Sequence, residues 1–238
     1  MKLIYVLTLI SCTLIATCGP NPYKTLEKKD PAEDATVALE NDDPQKAIDI
    51  LTAALGDSPG NIQYMSILAL AYAQRAGVDP LTLAQKMGSS SSSTGSSSGN
   101  GVTSLFGVMP PATQAAIDDV DAAIALLVAI PSAQRGSYDV LKLAMFQTAS
   151  MTLRSKMLDT DGDGVLSPSE LLAMSTSNAA AILSQLAAAA GAFAGGSSTS
   201  ATDQAASEQI SKISAAIAAE PGATDADKLK SYLAKTSG

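Results

Sequence analysis

The residues whose types and spacing bear chemistry are concentrated between 159 and 170, which read DTDGDGVLSPSE. Asp159, Asp161 and Asp163 alternate, Gly164 follows, and Glu170 closes the run. Alternate aspartates on a tight loop can turn their carboxylates toward one point, and Gly164 permits the sharp bend that brings Glu170 back to the same place. Four carboxylates gathered this way repel one another. A divalent cation relieves that repulsion, and calcium, which takes six to eight hard oxygens at about 2.3–2.6 Å, suits a donor set made of oxygen alone.

This pattern is identified as an EF-hand calcium-binding loop, with Asp159, Asp161 and Asp163 at positions 1, 3 and 5, Gly164 at 6 and Glu170 at 12. The resemblance implies three further assignments. Val165 donates its backbone carbonyl, Ser167 acts through a water, and Glu170 gives two oxygens. It also implies a helix on each side, and Ser167-Pro168-Ser169-Glu170 begins one well, with an N-cap, a first-turn proline and an acidic third position. EF-hands usually pair through position 8, here Leu166, yet no second loop of this pattern occurs in the chain. An unpaired hand is expected to bind calcium in the range of roughly 10⁻⁴ to 10⁻³ M. At that affinity the ion acts as a structural clip on the helix pair around residues 139–190.

Other chemistries are excluded or thinly supported. The chain has no histidine, which removes imidazole triads, HExxH zinc sites and histidine pH switches. Its 15 basic and 23 acidic residues give a net charge of −8, so no basic footprint for nucleic acid exists. The remaining acidic cluster is Asp118, Asp119 and Asp121, which lacks a glycine and a closing Glu and reads as an exposed helical turn. These are the acids an enzyme subunit working through paired carboxylates would use. Their spacing puts them on different helical faces with no nearby base or phosphate loop, and the expectation is a protein that is not an enzyme. Tyr64, Tyr72 and Tyr138 read as packing residues.

The elements that must position the loop are helices. Hydrophobic residues make up 46% of the chain but aromatics only 4%, with no Trp, so its core is built from Ala, Leu, Ile and Met in close-packed helices. The expected class is all-α. Ala47, Ile48, Leu51, Ala54 and Leu55 share one face, and so do Met65, Leu68, Ala69 and Tyr72, with Asp43-Pro44 and Asp79-Pro80 as start signals. Periodicity predicts further helices over 111–130, 138–158, 168–190, 203–219 and 225–235, the last two divided by Pro221-Gly222. No segment alternates with period two for long enough to argue a strand.

The spacing Ala47, Leu51, Ala54, Leu55, Pro59, Leu68, Ala69, Tyr72 resembles the second helix of one tetratricopeptide repeat followed by the first helix of the next. That resemblance covers residues 31–87, with a degenerate echo over 122–143. It implies helical hairpins stacked as a short α-solenoid whose concave surface takes a partner protein or peptide. The other reading is a generic set of helical hairpins packed by Ala-rich faces.

The N-terminus reads as an export signal over residues 1–17. Lys2 precedes an apolar run over 3–15, too short for a membrane span. Ile15-Ala16-Thr17-Cys18-Gly19 resembles a bacterial lipobox, which implies lipidation of Cys18 and anchorage in a membrane, with the outer membrane as the expected site and a periplasmic or surface-facing body. Leu9-Ile10-Ser11-Cys12 offers a second match, and secretion without lipid is the alternative. A tether over 18–30 follows, then a helical unit over 31–87. A Ser/Gly-rich linker spans 88–109, and a helical unit over 110–194 contains the calcium loop. A second linker over 195–202 leads to a C-terminal helical pair over 203–238. The sequence thus reads as a calcium-binding, lipid-anchored, non-catalytic scaffold of the bacterial envelope that engages an unidentified protein partner. The alternative is an accessory subunit that delivers a ligand to a transport system, for which a large apolar cavity would be the distinguishing feature.

Overall fold

A computed structural model describes residues 30–80, 82, 83, 85, 103–195 and 201–236. The export signal, Cys18 and the 88–101 Ser/Gly tract lie outside the described residues, as does most of the segment after Asp79-Pro80. The described residues are all helical. In chain order they are α1 (Pro31–Glu40), α2 (Pro44–Asp57), α3 (Ile62–Arg75), a 3₁₀ turn (Thr103–Val108), α4 (Gln114–Ala129), a 3₁₀ turn (Ser132–Gln134), α5 (Ser137–Lys156), α6 (Pro168–Ala173), α7 (Thr176–Gly195), α8 (Ala201–Ala219) and α9 (Asp225–Thr236). None of them is long and apolar enough to cross a membrane.

Helix starts follow local chemistry. Asp30 accepts the Ala32 N–H at 3.0 Å ahead of Pro31, and Asp43 accepts the Lys46 N–H at 3.2 Å ahead of Pro44. Asn61 takes the amides of Gln63 and Tyr64, and Thr113 takes that of Ala116. The chain turns between α1 and α2 at Asp42, whose φ of 57° lies in the left-handed region. The first three helices then close on one another through small side chains. Ala35, Ala38, Ala47, Ile48, Leu51, Leu68 and Ala71 form one buried cluster, in which alanines let the helix axes approach closely.

The other face of α3 joins a larger core. Met65, Ala69 and Ala73 pack with Ile117, Val120 and Leu127 of α4, and this cluster continues through Phe146 of α5 and Ile182 of α7 to Ile210 of α8 and Leu229 of α9. Composition marks boundaries in the sequence, but buried apolar surface runs across them. At its centre lies α5, in which every residue from Lys142 to Leu153 is buried.

The helix expected over 168–190 is two helices. Met174 adopts extended backbone, φ −61° and ψ 120°, and is buried, while the Ser175 hydroxyl accepts the Asn178 N–H at 3.1 Å and starts α7 afresh. A new cap in a Ser-Thr-Ser-Asn stretch competes well with helix continuation, because these residues hydrogen-bond the backbone outside helices. The tyrosines divide. Tyr64 and Tyr72 are half-buried, whereas Tyr138 is 64% exposed and stands against the ammonium of Lys142, 4.8 Å from its ring centre.

Lys142 is the buried cation of the α3–α5 contact. Its ammonium lies 2.9 Å from Asp139 and donates to the Ser66 hydroxyl, which itself donates to Asp139 at 2.5 Å. Burial raises the Asp139 carboxyl, but the Ser66 hydroxyl and the Lys142 ammonium together outweigh it and hold the group below its usual range. Stability from Asp139 is therefore fully present above the unfolded carboxyl range and is lost as pH falls through the lowered folded value. Asp139→Asn should cost about 2–3 kcal/mol in denaturant unfolding at pH 7, since it leaves Lys142 buried and uncompensated, and Asp139→Asn combined with Lys142→Met should recover most of that loss.

Candidate metal centre

The last turn of α5 delivers the chain into the acidic loop. Lys156 holds that end in place, because its ammonium donates to the carbonyls of Phe106 at 2.9 Å and Met109 at 3.0 Å. Those bonds fix the 3₁₀ turn beside the loop. A cavity of about 380 Å³ remains between Phe106, Gly107 and Ala112 on one side and Asp159 and Gly162–Gly164 on the other.

Within the loop the carboxylates organise the backbone. Asp159 accepts the Gly162 N–H at 2.9 Å on one oxygen and the Gly164 N–H at 3.0 Å on the other. Asp161 accepts the Asp163 N–H at 3.2 Å, and Asp163 accepts the Val165 N–H at 2.7 Å. Gly162 and Gly164 have φ of 74° and 80°, a conformation that a side chain would strain. The loop ends on a capping box at α6, where Ser167 and Glu170 each bond the other's backbone.

Glu170 closes the ring. One of its oxygens accepts the N–H and hydroxyl of Thr160 at 2.5 and 2.8 Å, and the other accepts the N–H and hydroxyl of Ser167 at 2.9 and 2.8 Å. The Ser167 amide does most to favour the charged form, followed by the Thr160 hydroxyl and amide. Together they bring the carboxyl down to about 2. Asp161 is pushed the other way. The Asp163 amide lowers it, but desolvation and the negative charges of Asp163 and Glu170 raise it overall. Like charges are thus crowded here.

Asp159, Asp161 and Glu170 each offer an oxygen within 4.8 Å of the others, and they form such a carboxylate group among the described residues. The spacing is right for one ion. Oxygens on opposite sides of calcium at about 2.3–2.6 Å stand roughly 4.6–5.2 Å apart, and neighbouring ones stand closer. Asp163 is not in this group and accepts the Val165 N–H instead. Ser167 sits at the edge of the site as the α6 cap, and Val165 has an exposed side chain, which leaves only its backbone to contribute. The donor set contains oxygen alone and no sulfur or imidazole, which fits calcium better than a softer metal.

Sequence reasoning missed Thr160. It lies outside the alternating pattern, yet its amide and hydroxyl hold the closing glutamate. Its hydroxyl at the second loop position was the available signal. Leu166 is 1% exposed within the chain's own core rather than presented at the surface, and Leu172 of α6 is 80% exposed. The second acidic cluster has another use. Asp119 takes a forked bond from Arg75 at 2.5 and 2.9 Å, tying α3 to α4. Asp121 accepts from Arg154 at 2.5 Å and Ser150 at 2.7 Å, tying α4 to α5. Asp118 accepts from Gln114 of its own helix at 2.8 Å. The three therefore do not converge.

No family model, curated protein or solved structure matches this chain. The loop's own residues carry the functional reading.

Because Glu170 accepts four hydrogen bonds that span the loop, Glu170→Ala should lower the melting temperature in chelator by about 2–6 °C, read by circular dichroism. An unchanged apo melting curve would show that the Thr160 and Ser167 bonds contribute nothing to the fold.

Proposed function

We propose that residues 159–170 bind calcium, through the side chains of Asp159, Asp161, Asp163 and Glu170, the Val165 carbonyl and a water on Ser167. The observation that carries this reading is the convergence of Asp159, Asp161 and Glu170 within 4.8 Å on a loop that has the twelve-residue calcium pattern. Asp163 joins when an ion's charge outweighs its single bond to Val165. Calcium then neutralises two of the crowded negative charges and clips α5 to α6 and, through it, α7. The ion's role is structural, consistent with a loop whose Leu166 is committed to the chain's own core.

Around that clip we read a non-catalytic, tetratricopeptide-like helical protein, lipid-anchored through Cys18 in a bacterial envelope and serving a partner protein. Close-packed alanine-rich hairpins of α1–α3 fit the repeat reading and equally a generic set of helical hairpins. The assignment of Asp119 and Asp121 to interhelical ion pairs supports the absence of catalysis. The lipobox-like residues before Cys18 support the anchor.

Calorimetry on the protein with 10 mM calcium against chelator tests the metal. With a Kd of roughly 10⁻⁴ to 10⁻³ M the ion adds about 1.4–2.7 kcal/mol and raises the melting temperature by roughly 3–10 °C, and Asp159→Ala abolishes the rise. No rise at 10 mM calcium would overturn the site. For the anchor, cells expressing the chain are labelled with a lipid precursor: the protein should take up label and Cys18→Ala should not, and label retained in that variant would refute Cys18 as the attachment point.

A further inference from the structure

We infer that the Thr160 hydroxyl competes with calcium for Glu170, so that Thr160 sets how tightly the loop holds the ion; this rests on the calcium reading above. A charged carboxylate has about four lone-pair positions, shared equally between its oxygens. In Glu170 all of them are in use. One oxygen takes the Thr160 N–H at 2.5 Å and the Thr160 hydroxyl at 2.8 Å, and the other takes the Ser167 N–H at 2.9 Å and the Ser167 hydroxyl at 2.8 Å. A calcium ion gripped by both oxygens needs a position on each. One donor must therefore give way on each oxygen for the ion to bind.

Which donors give way follows from how each is attached. The two amides are held by the backbone, and the Ser167 amide belongs to the capping box that starts α6. A hydroxyl hydrogen turns freely about its bond. The Ser167 hydroxyl has further partners at hand, since it lies 3.0 Å from that of Ser169 and accepts the Glu170 N–H at 3.4 Å. The Thr160 hydroxyl is bonded to Glu170 and belongs to an exposed residue, so water receives it once it is displaced. Trading a charged acceptor for water costs free energy, and that cost comes out of calcium affinity. Deleting the hydroxyl removes the competitor: it weakens the loop before the ion binds and leaves the ion-bound loop unchanged. Thr160 separates this effect from others better than Ser167, which also caps α6 and is assigned to the ion through a water.

Titration of the protein with calcium, read by calorimetry on the parent, Thr160→Val and Thr160→Ser, tests the inference. Valine keeps the shape and the backbone N–H but has no hydroxyl, and that variant should bind calcium at least about threefold more tightly than the parent. Thr160→Ser keeps the hydroxyl and should stay within about twofold of the parent. In chelator Thr160→Val should melt about 2–4 °C below the parent, and the gap should close in about 10 mM calcium. A residue that merely supports the fold would lower both melting curves and would not tighten the ion. Tightening of less than about threefold in Thr160→Val, tightening of that size in Thr160→Ser, or a melting gap that persists in calcium would each overturn the competition and leave the calcium site standing. Calcium binding by none of the three proteins up to about 10 mM would overturn the site and this inference together.

Discussion

A helix buried on all sides has no water to satisfy its polar side chains, and the rest of this structure follows from how α5 meets that constraint. From Lys142 to Leu153 no residue of α5 is at the surface, although the stretch includes Lys142, Gln147, Ser150 and two Thr hydroxyls aimed back along the helix. Backbone carbonyls four residues earlier take Thr148, Thr152 and Ser155. Neighbouring helices take Ser150 and Lys142, through Asp121 from α4 and Ser66 from α3. Ser150 and Lys142 therefore specify which helix lies against α5 and in what register, which apolar packing alone would leave less sharply defined.

That anchoring positions the acidic loop. The loop begins where α5 ends, and Lys156 ties that end to the 3₁₀ turn through Phe106 and Met109. On its far side the loop passes directly into a capping box, so Glu170 serves both as the residue that starts α6 and as the one that spans the loop. Both jobs need the carboxylate charged, and four donors keep it so. The arrangement is a nearly assembled cage whose remaining tension is repulsion among acids, evident in the raised Asp161.

Much of this was legible from local pattern. Cap residues such as Asp43 and Asn61, and prolines at first turns, mark helix starts because the signals lie within a few residues of the element they start. The acids that gather between 159 and 170 were legible for the same reason, since one short loop holds them all. What escaped depends on distant partners. Full burial of α5 was not readable, because a helix covered on every side has no polar face to give periodic contrast. The breaks and exposures at Met174, Tyr138 and Leu172 turn on where neighbouring helices happen to lie. Asp119 and Asp121 read as an exposed acidic turn until Arg75 and Arg154, 44 and 33 residues away in the chain, are seen to meet them.

The sequence by itself determined the all-helical class and the chemistry of the 159–170 loop, because helix periodicity, capping and a twelve-residue ligand pattern are short-range properties of the chain. Tertiary structure alone decided which acids hold helices together and which gather across one loop. It also decided that Leu166 belongs to the chain's own core. Burial and partnership are set by segments that approach from far along the chain, and no local pattern records which of those segments will arrive.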